Sequence, residues 1–105
     1  MADEPRGTTA MSVLELATMR AREGHGDAMA EALPMALKVV AEAEGCLETG
    51  VLRCVERRDE FVLRMRWTEV AAHEAFRDST DFPRYRAIFA DHLAEVVGFA
   101  HYTEI

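Results

Sequence analysis

The chain has 105 residues, half of them apolar, which is enough for one buried core and too apolar for a disordered chain. Its formal net charge of −7 repels phosphate backbones, and no basic stripe overrules that total, so nucleic-acid binding is set aside. No apolar run approaches the roughly 18–20 residues of a membrane span, and the polar, acidic start lacks a signal-peptide core; the expectation is a cytoplasmic protein with no membrane partner.

Residues 1–11 read as a flexible leader rich in Thr, Gly and Pro, and the domain proper as residues 12–105. From Ser12 to Arg20, the residues Val13, Leu14, Leu16 and Met19 lack helical spacing and are followed by Gly24 and Gly26, which predicts a first strand. Asp27 then serves as the expected N-cap of a helix, with Glu31 near its first turn. The helix carries apolar residues at Met29, Leu33, Met35, Ala36, Leu37 and Val40. Pro34 is expected to kink or restart this helix, and Gly45 to end it.

Residues 46–56 alternate, with Leu47, Thr49, Val51, Arg53 and Val55 on one face and Cys46, Glu48, Gly50, Leu52 and Cys54 on the other. Residues 61–67 alternate more strictly: Phe61, Leu63, Met65 and Trp67 point one way, Val62, Arg64 and Arg66 the other. Joined by the short polar link Arg57–Glu60, the two runs predict an antiparallel hairpin. In such an extended run Cys46 and Cys54 would lie roughly 26 Å apart, far beyond disulfide reach, so both read as reduced, and no zinc signature accompanies them.

Thr68 and Glu69 lead into a short helix, Val70–Asp78, with Ala72, Ala75 and Phe76 as its expected inward side. A third helix begins near Pro83, with Phe82, Tyr85, Phe89, Leu93 and Val96 as its apolar stripe. Gly98 is expected to close it, leaving Phe99–Ile105 as the last strand. The order β-α-β-β-α(α)-β is the α+β, ferredoxin-like split βαβ arrangement, an antiparallel sheet with helices on one face. The opposite face, expected to carry Val13 and Val62, needs cover, and a second copy of the chain is the simplest cover.

Three stretches resemble the antibiotic biosynthesis monooxygenases, a family of dimeric α+β barrels. They are the step Glu44-Gly45-Cys46-Leu47, the strand end Arg66-Trp67-Thr68-Glu69, and the link Asp78-Ser79-Thr80-Asp81-Phe82 leading to Tyr85. The resemblance implies a cofactor-independent monooxygenase that oxidises a small aromatic, anthrone or quinol-type substrate with molecular oxygen. It also implies a homodimer. Positions of the haem-degrading branch look like Ala17, Phe76 and Arg86 here, none of which keeps that branch's residue, so haem breakdown is not expected. Positions of the quinone-forming branch look like Leu63, Trp67 and His73; the Trp is kept and His73 stands in for a Tyr.

Oxygenation without metal or flavin needs a base near neutral pH and a dry apolar pocket. His73 suits the first role by its intrinsic pKa and is placed by helical spacing on the pocket rim. His73 and Trp67 are therefore the candidate catalytic residues, with Leu63, Met65, Phe76, Phe82 and Phe89 as candidate pocket walls. Plainer readings stand beside these: Trp67 as core, His73 as helix-edge decoration, Met35 and Met65 as gap-filling core. His25 reads as an exposed loop residue, Glu42, Glu44 and Glu48 as a solvated edge. His92 and His101 lack neighbours at ligand spacing, so no metal or other cofactor is expected. The alternatives to an oxygenase are a non-catalytic dimeric ligand-binding domain and a proton-transfer isomerase.

Overall fold

The structure, a computed structural model, describes residues 12–105, so the expected leader lies outside the described residues. Strands β1 (Val13–Ala21), β2 (Cys46–Arg53), β3 (Glu60–Trp67) and β4 (Leu93–Tyr102) form one antiparallel sheet in the order β2-β3-β1-β4. Helices α1 (Gly26–Ala41), α2 (Val70–Arg77) and α3 (Asp81–Phe89) cover one face, and a short 3₁₀ turn, Ala90–His92, leads into β4. This is the ferredoxin-like α+β arrangement expected from the order of elements.

The central β1–β3 ladder runs without a break from Val13 opposite Trp67 to Arg20 opposite Glu60. Its helix-side rows are Glu15, Ala17, Met19 and Ala21 on β1, and Phe61, Leu63, Met65 and Trp67 on β3, all buried. Strict period-two alternation makes these rows, because a one-residue slip would move every apolar side chain to the wrong side. Val13 belongs to this inner side, opposite Trp67, and not to the outer face where it was expected. The outer face carries Leu14, Leu16, Thr18 and Val62 instead.

Helix α1 is continuous through Pro34, which does not restart it. Pro34 is exposed, and the buried stripe Met29, Leu33, Ala36, Leu37 and Val40 continues on both sides of it. An interior proline costs about 3 kcal/mol, while each large apolar side chain buried returns roughly 1.5–3 kcal/mol, so the stripe holds the two halves together. Met35, adjacent to the proline, is 59% exposed and takes no part in the core. Asp27 caps nothing either; the helix begins at Gly26, and Asp27 accepts from Arg53 Nη1 at 3.0 Å.

The register of the outer strands explains the other departures. Between Cys46 and Glu48 the β2–β3 pairing shifts, leaving Leu47 as the extra residue of a bulge. Cys46 thereby faces inward beside Trp67, and the expected face assignment of the first β2 residues reverses. Both cysteines are free. In β4, Thr18 pairs with Gly98 but Met19 with Val96, and Arg20 with Glu95 but Ala21 with Leu93, so Val97 and Ala94 are skipped. The inward residues Leu93, Val96 and Phe99 consequently repeat every three positions, which imitates a helix. For that reason helix α3 was expected to run to Gly98, whereas Gly98 lies inside β4.

Gly45 ends the α1–β2 connection with φ +87°, and a Cβ there would lie 2.6 Å from Ala72 Cβ at the start of α2. Thr68 N also donates to Gly45 O at 2.8 Å, so α2 is seated directly on this glycine. Gly24 has φ +82° but open space around it. Gly45→Ala is therefore expected to destabilise the fold by roughly 2–4 kcal/mol, from backbone strain plus overlap, and Gly24→Ala by roughly 1 kcal/mol from strain alone. Urea denaturation midpoints of the two variants check the ranking.

Candidate active site

Because Trp67 closes β3 and only Thr68 and Glu69 separate it from α2, the first turn of α2 folds back over the indole. Its inward side is Ala72, His73 and Phe76, while Ala75 is exposed, contrary to expectation. His73 is buried, only 6% exposed, and stacks on Trp67 with ring centroids 5.3 Å apart and planes 19° apart. Sheet register supplies the remaining partners, since Glu15 on β1 is flanked by Met65 on β3 and His101 on β4.

Three groups converge on one buried carboxyl and its imidazole. Trp67 Nε1 donates to Glu15 Oε1 at 3.0 Å, and His73 Nε2 lies 3.4 Å from the same oxygen. His73 Nδ1 meets His101 Nε2 at 2.8 Å. The tautomers that satisfy this chain place a proton on His101 Nε2, which His73 Nδ1 accepts, and a proton on His73 Nε2 facing Glu15. Glu15 also lines the larger of the two cavities beside it, and Arg86 Nε is a buried side-chain polar atom with no hydrogen-bond partner.

Electrostatics follow the burial. Desolvation lowers the His73 pKa from 6.5 to about 4, helped by the neighbouring His101 and Arg77 charges, so the ring is neutral at pH 7. Burial raises the Glu15 carboxyl above its usual range, with the Trp67 hydrogen bond and the Arg77 charge pulling the other way. Burial and the Glu15 charge push the Tyr85 phenol well above the usual range, so it keeps its proton.

A cleft of about 230 Å³ opens between the β1–β4 half of the sheet and helices α2 and α3. Glu15, Ala17 and Met19 form its floor, Val96 and Phe99 one side, and His73, Arg77, Phe82, Tyr85 and Arg86 the other. Of the residues expected at the site, His73 and Phe82 line this cleft. Trp67, Met65 and Phe76 wall a smaller void of about 30 Å³, which shares Glu15, His73, Phe82 and Tyr85 with the cleft. That void is water-sized. Leu63 and Phe89 are fully buried and line neither space; α1, which packs against both β2 and α3, covers this part of the core.

Glu15, His101, Phe99 and Arg77 entered no sequence reading of the site. Glu15 carried a signal: it is an acid on the row of β1 that alternates with Ala17 and Met19, a buried charge position. His101 and Phe99 were hidden by the bulges of β4. Among the described residues no three His, Cys, Asp or Glu side chains gather to hold a metal ion. The two ring nitrogens of His73 face different partners, His101 on one side and Glu15 on the other.

These features define a ferredoxin-like α+β domain with a ligand-sized cleft between sheet and helices. The sequence matches the antibiotic biosynthesis monooxygenase family over residues 12–90, and the chain belongs to that family. A structure from Bordetella bronchiseptica that carries the same family name superposes with a TM-score of 0.84, at 23% identity, over 90% of this chain and 97% of its own. PA3566 from Pseudomonas aeruginosa has a TM-score of 0.76 at 20% identity, over 92% and 97% of the two chains. A conserved protein from Methanosarcina mazei has a TM-score of 0.79 at 12% identity, over 95% and 99%. At these identities the likeness establishes the fold. A search of curated proteins returned no match.

The depressed His73 pKa has a consequence for stability. An unfolded histidine binds its proton near pH 6.5 and the folded one near 4, so the contribution of His73 is complete above pH 6.5 and is lost as pH falls toward 4. Glu15, with a raised pKa, works in the opposite sense, its contribution present below its unfolded value and fading as pH rises. Replacing His73 with Gln should remove roughly 1–3 kcal/mol of the acid-side loss between pH 7 and 4.5. Urea titrations of both proteins at the two pH values measure it.

Proposed function

We propose that the protein is a cofactor-independent monooxygenase that oxidises a small aromatic of the anthrone or quinol type with molecular oxygen. The observation that carries this reading is a buried carboxyl, bonded by an indole and set beside an imidazole, on the floor of an aromatic-walled cleft. Such a carboxyl, its pKa raised by burial, is a stronger base than an exposed carboxylate and a competent general base. A cleft of about 230 Å³ lies below the roughly 300–1,000 Å³ of ordinary ligand clefts, so within that class it favours one- or two-ring quinols over the three fused rings of an anthrone.

Glu15 takes the acidic proton of the bound substrate. The resulting anion passes one electron to oxygen, and the radical pair joins by a carbon–oxygen bond to give a peroxide. Glu15 returns its proton to the outer peroxide oxygen, the oxygen–oxygen bond breaks, and water leaves as the ring carbon loses its remaining hydrogen. One oxygen atom becomes the new carbonyl, the other leaves in water, and all the electrons come from the substrate. His73 acts as hydrogen-bond donor to the carboxylate, and Trp67 is a positioning residue that reaches the chemistry through Glu15.

A homodimer completes this reading. The outer sheet face bears Leu16, Val62, Val97 and Tyr102 around a shallow depression, and the latter two are more than half exposed. A second copy placed on that face would cover it. Light scattering should give about twice the 11.8 kDa chain mass, and Val62→Glu should return it to one chain mass while leaving the helix-side core intact.

A panel of naphthols, quinols and anthrones assayed with and without air tests the reaction. Oxygen-dependent quinone formation without added flavin or metal is expected, with Glu15→Gln lowering kcat by about 100-fold or more and His73→Gln by about 10-fold. Turnover that is equal without oxygen would identify a proton-transfer isomerase instead, and ligand binding without turnover a non-catalytic domain.

A further inference from the structure

The oxygenase chemistry leaves Arg77 and Arg86 without a task, although both line the cleft. Neither has a carboxylate within ion-pair distance among the described residues, a trait shared with the exposed Arg22 and Arg58 outside the cleft, whereas Arg20, Arg53, Arg57, Arg64, Arg66 and Arg84 each have one. Arg86 is propped between aromatic rings, its guanidinium carbon 5.9 Å from the centroids of both Phe82 and Phe89. Its Nε is buried and has no hydrogen-bond partner. Arg77 rests in the same manner on Phe99, at 5.6 Å. Two guanidinium groups thus face a single carboxyl, Glu15, in a protein whose total charge is −7. A charged donor kept out of water without an acceptor is costly, and function is the usual reason for keeping it.

We infer that the cleft takes an aromatic monocarboxylate, with the carboxylate on Arg86 and the phenolic end at Glu15. A carboxylate in the cleft can accept in parallel from the two Nη groups of the guanidinium, while Nε, closed to solvent, takes no part in the contact. Phe82 and Phe99, which steady the two cations, supply ring faces for the flat body of the ligand. Arg77 stands on the Glu15 side and offsets that charge, leaving Arg86 to the ligand. A net negative protein does not steer anions from a distance, so recognition has to come from this local contact. The inference relies on the oxygenase reading for which end of the ligand meets Glu15, while recognition of the carboxylate stands independently of turnover.

Calorimetry with 2-naphthoate and 2-naphthamide, neither of which is oxidised, separates the two questions. The naphthoate should bind the unmodified protein about tenfold or more tightly than the amide. Arg86→Gln should abolish that preference while leaving the amide affinity unchanged, Arg86→Lys should keep part of it, and Arg84→Gln, which alters a surface pair outside the cleft, should keep all of it. Thermal melts of each variant report folding. Equal affinity for the two probes, failure of both to bind, or a preference that survives in a folded Arg86→Gln protein would overturn the inference. None of these results depends on whether oxygen is consumed.

Discussion

The structure is organised around a carboxyl group placed where a carboxyl is expensive. Glu15 sits on the inner row of the central strand, between the sheet and its helices, and could not remain there without donors. The indole of Trp67 reaches it from the neighbouring strand and the imidazole of His73 from the following helix, while His101 secures that imidazole from the opposite edge. Four elements far apart in sequence are thereby tied to one oxygen atom. Breaking the set by removing one donor would leave a buried acid under-satisfied, so the group specifies the relative placement of β1, β3, β4 and α2 as well as any chemistry.

The placement of α2 depends in turn on an absence of side chain. Gly45 lets the first turn of that helix approach so closely that Ala72 fills the space a Cβ would need. His73 follows directly and lands on the indole. The cleft therefore owes its geometry to the connection between α1 and β2, which contributes no group to it. The β2 side of the sheet is covered by α1, and a cleft is left over Glu15, Ala17 and Met19 beneath α2 and α3, so a single layer of helices both builds a core and leaves a cavity.

Much of this was legible before any coordinates. The strict alternation of Phe61, Leu63, Met65 and Trp67 identified β3 and its buried face, and the order of elements gave the fold class. The candidates His73 and Phe76 on α2 do lie against Trp67 in the structure. What stayed hidden had physical causes. Bulges changed the period of β4 from two to three, which disguised a strand as a helix and concealed Phe99 and His101. A proline on the solvent side of α1 interrupted the expected pattern without interrupting the helix. Glu15 was passed over because acidity on a strand normally signals water, although its alternation with Ala17 and Met19 hinted at the inner row that the register against Met65 and His101 establishes.

The placement of the irregularities has a further meaning for the molecule as a whole. The central ladder is unbroken, whereas both outer strands carry their interruptions, Leu47 on β2 and the pair Ala94 and Val97 on β4. An open sheet presents two rims of unpaired backbone groups that could template the addition of foreign strands. Irregular, twisted rims are poor templates. The protein can thus carry an apolar outer surface while discouraging edge-to-edge growth into fibrils, a safeguard written into where the extra residues fall.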